Sequence, residues 1–130
     1  DKSSSINPDS FLSNNIKLAE KTINLGIESP FKLEVESEFD SKINVKIIEN
    51  KITTYERISS LPAGRKRSWD SIGTLQFELS SVQGINVTLN GNDRIISQFL
   101  KPDNISEEDV SIRVILKEDG YLTTVYFGIN

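Results

Sequence analysis

The chain predicts an all-β fold, an immunoglobulin-like antiparallel β-sandwich of about nine or ten strands behind a flexible N-terminal tail. Three observations predict it. From Lys21 onward, apolar and polar residues alternate in short runs. Turn-forming pairs, Asn90-Gly91 and Asp119-Gly120 among them, fall between the runs. No stretch between the runs carries a sustained helical period, so nothing calls for crossover helices and a parallel sheet.

Residues 1–18 are rich in Ser and Asn, with Ser3, Ser4 and Ser5 in a row, then Pro8, Asn14 and Asn15. They read as a linker or tail, and residues 19–130 as the domain. The first alternating run holds Ile23, Leu25 and Ile27, the second Phe31, Leu33 and Val35, and the third Ile43, Val45 and Ile47. Thr53 to Ser59 is less regular but β-branched. Leu75, Phe77 and Leu79 form a further run, followed by Ile85, Val87 and Leu89. Arg94 to Leu100 is again irregular. Val110, Ile112 and Val114 alternate with Ser111 and Arg113, and Tyr121 to Ile129 closes the chain, paired back through Asp119-Gly120. In each run one face is expected on a core and the other in water. For the last run, Tyr121, Val125, Phe127 and Ile129 are expected on the core. The opposite face, Leu122, Thr124 and Tyr126, is apolar for solvent; either the strand is central in its sheet or that face meets a partner.

Composition narrows the function. The 130 residues include no Cys, His or Met and carry a formal net charge of −4. Without Cys there is no disulfide framework or thiol nucleophile, and without His no Ser–His triad and none of the usual zinc sites. No cofactor is implied. A pI near 4.9 offers no basic face for nucleic acid. No run approaches the ~20 apolar residues of a membrane-spanning helix. A chain without Met is expected to be a portion of something longer.

The stretch from Leu33 to Leu116 carries an ordered set of motifs. Leu61-Pro62-Ala63-Gly64 closes a strand, and Arg65, Lys66, Arg67 and Trp69 open the next. The apolar strand Leu75 to Leu79 follows, then Gln83-Gly84-Ile85-Asn86-Val87-Thr88-Leu89-Asn90-Gly91. In order and spacing these resemble the C-terminal extracytoplasmic domain of RodZ-type cell-shape proteins, with Ile43 where such domains often carry Trp. The resemblance implies a bitopic inner-membrane protein with its membrane anchor upstream of Asp1. It also implies a cytoplasmic part on the MreB filament, and an outer domain that touches protein partners of the wall-elongation machinery on the periplasmic side. No catalytic residues come with it.

Five residues stand out as candidate contacts. Arg65, Lys66 and Arg67 form the one dense basic cluster, which would suit an anionic partner; the plainer reading is a solvated hairpin end guarding an edge strand. Trp69 has two open readings: an exposed anchor, favoured by strand parity with Arg65 and Arg67, or a rim residue with its N–H satisfied nearby. Tyr126 is the other ring expected to be exposed. Asp103, Glu107, Glu108 and Asp109 lack the alternation and glycine of a calcium loop and read as a capped turn. An enzyme fits worst, since no carboxylate pair or apolar-set lysine is identifiable. A non-catalytic scaffold or adaptor domain is expected, with a secreted or lipid-anchored sandwich that binds carbohydrate or another surface ligand as the alternative.

Overall fold

The computed structural model describes residues 16–91 and 110–128. These form nine strands: β1 (Ile16–Asn24), β2 (Phe31–Ser37), β3 (Ser41–Glu49), β4 (Ile52–Leu61), β5 (Lys66–Ser71), β6 (Thr74–Leu79), β7 (Ile85–Leu89), β8 (Val110–Leu116) and β9 (Tyr121–Gly128). Every pairing is antiparallel. A six-stranded sheet, β1-β9-β8-β6-β3-β4, faces a three-stranded one, β5-β2-β7. The all-β sandwich expected from the alternation is what forms. β1 begins at Ile16, inside the segment read as tail, and ends at Asn24, short of Leu25 and Ile27. The irregular run Thr53 to Ser59 belongs to β4. Arg94 to Leu100 and the acidic run Asp103 to Asp109 lie outside the described residues.

Local chemistry sets the turns. The β3–β4 hairpin closes on Asn50 and Lys51, both at positive φ (53° and 66°), the backbone a two-residue turn needs to match strand twist. Asn tolerates this conformation and Lys does so at a cost. The β8–β9 hairpin closes through Asp119-Gly120, with Gly120 at φ 94° and the Gly120 N–H donating to the Lys117 carbonyl.

The core is built from three rows of paired residues across the large sheet. One runs Ile43, Leu79, Ile112, Tyr126; the next Val45, Phe77, Val114, Thr124; the third Ile47, Leu75, Leu116, Leu122. Phe31, Leu33 and Val35 of β2 and Val87 and Leu89 of β7 meet them from the small sheet, and all of these apolar side chains are buried. Each such side chain contributes roughly 1.5–3 kcal/mol of transfer free energy.

Two expectations are overturned here. On β9 the inner face is Leu122, Thr124 and Tyr126, whereas Tyr121 is 46% exposed. The strand lies between β1 and β8, so both its faces carry apolar residues and sequence parity could not say which points inward. The other concerns the outer face of the large sheet, which is not uniformly in water. There Asn44, Glu78, Arg113 and Val125 pair side by side, and Glu78 is 0% exposed. Its carboxylate accepts from Asn44 Nδ2 at 2.9 Å and from Arg113 Nε at 2.7 Å. The Arg113 guanidinium also lies 5.4 Å from the centre of the Phe127 ring. A buried carboxylate persists only when its oxygens are occupied in this way.

Candidate functional site

The β4–β5 connection crosses from one sheet to the other. Leu61, fully buried, ends β4. The turn after it is tied down by the Ala63 N–H donating to Asp40 Oδ1 (2.9 Å) and the Gly64 N–H donating to the Ser37 carbonyl (2.8 Å). Gly64 sits at φ 77°, a conformation that suits glycine. The chain then doubles back as β5, so the open edges of the two sheets lie one above the other on this side of the sandwich.

Trp69 sits within that rim. It pairs with Leu33, whose side chain is in the core, so it is on the inner face of β5. Its Nε1–H donates to Tyr55 Oη on β4 at 3.4 Å, and the ring is half-buried against the core cluster. The rim reading of Trp69 therefore holds. Its parity with Arg67 is real, but the shared face is the inner one at the margin of the small sheet, where the larger sheet does not seal it.

That hydrogen bond also fixes what lies beside it. Arg67, two residues before Trp69, pairs with buried Val35 and is exposed. Arg57, two residues after Tyr55, pairs with buried Val45 and is exposed. Both belong to the inner-face register of an edge strand, and both lie between the Trp69–Tyr55 contact and the Pro62 turn. Lys66 is on the opposite face of β5, across from Glu36. Pro62, Arg65, Lys66 and Arg67 line a small recess of about 190 Å³. None of Arg57, Arg65, Lys66 and Arg67 has an ion-pair partner among the described residues. On the inner side the corner thus brings Arg57 and Arg67 beside two half-buried rings, with Arg65 and Lys66 at the turn and with Glu56 and Asp70 on the outer faces of the same two strands.

Arg57 and Tyr55 escaped sequence reasoning. They stand ten and fourteen residues from Arg67 and Trp69, and only the strand register unites the four. Tyr126, expected to be an exposed ring, is 1% exposed. It packs in the row of Ile43, Leu79 and Ile112, with Lys21 Nζ 5.6 Å from its ring centre. It is withdrawn as a contact residue, because a partner could reach it only by opening the sandwich. The row of exposed rings needed for a sugar platform goes with it: Phe39 and Tyr121 are the exposed rings among the described residues. Also among the described residues, no three Asp, Glu, His or Cys side chains are grouped to hold a metal ion, and no helix is long and apolar enough to cross a membrane.

No protein-family model, curated protein or solved structure matches the chain.

Proposed function

We propose that this β-sandwich is a non-catalytic, extracytoplasmic scaffold or adaptor domain of a RodZ-like bitopic cell-shape protein, and that it touches the wall-synthesis machinery through the β4–β5 corner. One observation carries the choice of corner: Arg57 and Arg67, without ion-pair partners among the described residues, share the inner-face register of Tyr55 and Trp69, two residues from their contact, with Arg65 and Lys66 at the adjoining Pro62 turn. Charges that serve the fold are satisfied within it, as Glu78 is; charges left unpaired at an open rim are available to something else.

The RodZ-like reading is supported by how the motif residues are used. Gly64, Gly84 and Gly91 all adopt positive φ (77°, 70° and 82°), and Leu61, Val87 and Leu89 are core residues. The motif residues therefore serve here as turn glycines and inward-facing apolar residues.

The test is the size and location of the native protein, read with an antibody against this domain on fractionated source cells. The expected result is a membrane-fraction band far larger than 14.6 kDa, released only by detergent, with the epitope outside the membrane. A band near 14.6 kDa in the periplasm or medium overturns the bitopic reading. Hydrolysis of wall fragments by the purified domain overturns the non-catalytic one.

A further inference from the structure

β4 is an edge of the large sheet. From Tyr55 to Leu61 it pairs residue for residue with β3, and its one irregularity lies beyond that stretch, between Tyr55 and Thr53. Seven consecutive residues thus present a regular edge with no second strand partner among the described residues, whose alternate N–H and C=O groups point away from β3. On the outer face of this stretch stand exposed Glu56, Ile58 at 49% exposure, and Ser60, so the acids of an added strand are placed on the inner face. On the inner face stand Tyr55, Arg57 and Ser59, with Trp69 and Arg67 directly across the rim.

We propose that this edge accepts an extended, acidic segment of a partner protein as an added strand. The proposal rests on reading the domain as a binding module. Backbone pairing with Tyr55–Leu61 would supply most of the contact. Every second side chain of the added strand would point to the inner face, beside Arg57 and Arg67, and a carboxylate there would give each guanidinium a charge-assisted partner. The side chains between would lie next to Ile58, where a β-branched apolar residue fits best. The charge of the corner argues against a second copy of this chain as occupant. Two β4 edges paired about a two-fold axis would bring their Arg57 and Arg67 clusters together, and like charges across a strand pair are repelled.

The full chain is titrated with a labelled, acetylated octapeptide in which Asp or Glu alternates with Val or Thr. Three controls accompany it: the same sequence with Lys for each acid, the acidic peptide N-methylated on alternate amides in either register, and vesicles containing phosphatidylglycerol. The acidic peptide is expected to bind, and the Lys peptide at least tenfold more weakly. At least one N-methyl register should lose binding, because it blocks the edge while keeping every charge. The double variant Arg57→Glu/Arg67→Glu, with an unchanged circular dichroism spectrum, should weaken binding at least tenfold. Equal binding of both N-methylated peptides overturns strand addition. Absence of peptide binding overturns the proposal, and if the vesicles then bind in an Arg57- and Arg67-dependent way the corner is a membrane-facing surface. Neither failure touches the size and location of the native protein, so the proposed function stands or falls separately.

Discussion

The Asn44–Glu78–Arg113 row and the β4–β5 corner both concentrate charge, and they use it in opposite ways. In the row, one carboxylate at 0% exposure is bonded by an amide and a guanidinium. In the corner, Arg57, Arg65, Lys66 and Arg67 are exposed and have no ion-pair partner among the described residues. The difference follows from position in the sheet. The row crosses β3, β6 and β8, and at its centre Glu78 is out of water, so its charge is neutralised within the fold. The corner belongs to strands with a free side, where water supports an unpaired guanidinium at little cost.

Removing charge from the two places should therefore have unequal effects. The largest is expected from Glu78→Ala, which removes the carboxylate that Asn44 and Arg113 both bond. A loss of about 3 kcal/mol in urea unfolding is expected, the low end of the range for a broken buried pair because Arg113 is partly exposed. A change below the error of the measurement would mean that the row is not structural and would erase the contrast. Trp69→Ala comes next. It removes a half-buried ring and its hydrogen bond to Tyr55, and should cost about 1.5–2.5 kcal/mol, half the value for a fully buried Trp. The same variant should weaken binding of the acidic octapeptide, because the two edges lose the contact that sets their spacing. Full stability together with full binding would remove Trp69 from the site. The smallest effect is expected from Arg57→Ala, within about 0.5 kcal/mol of the parent in the same unfolding experiment. Its consequence should show only in binding, and more strongly at low salt than at high. A large destabilisation would reveal a structural role and make the corner resemble the row.

The peptide controls sharpen the comparison in another way. A merely solvated basic corner would bind the acidic and N-methylated peptides alike, through charge alone; the hairpin end expected from the sequence is not formed, since β4 and β5 lie in different sheets. An edge that takes a strand would discriminate between them, because its selectivity lies in the backbone of β4 and the arginines only favour one sign of side chain.

Much of the fold was legible in the sequence because its causes are local. Alternation at period two is a property of neighbouring residues, and it marked Phe31 to Val35, Ile43 to Ile47 and Leu75 to Leu79 as strands. The Asp119-Gly120 turn follows from the φ that glycine allows, and so does the antiparallel hairpin it closes. The basic cluster Arg65 to Arg67 could be read because its members are adjacent, and it remains exposed in the fold. Sequence parity put Trp69 on the face of Arg67, but the outward placement it favoured for the ring does not occur, because that face is the inner one.

Strand order and sheet assignment were decided only by the tertiary structure, because they depend on pairings between distant segments. Placing β9 between β1 and β8 turned Tyr126 inward and Tyr121 outward; a strand with apolar residues on both faces carries no local mark of which one meets the core. Glu78 proved to be a buried carboxylate bonded to Asn44 and Arg113, although its alternation with Phe77 and Leu79 looks like that of any solvent-facing residue. Sending β4 to one sheet and β5 to the other put Tyr55 and Arg57 beside Trp69 and Arg67. A sequence states which residues can share a face of one strand. Which strands become neighbours is settled by packing the whole chain around one core, and that packing determined which of its charges remained unpaired.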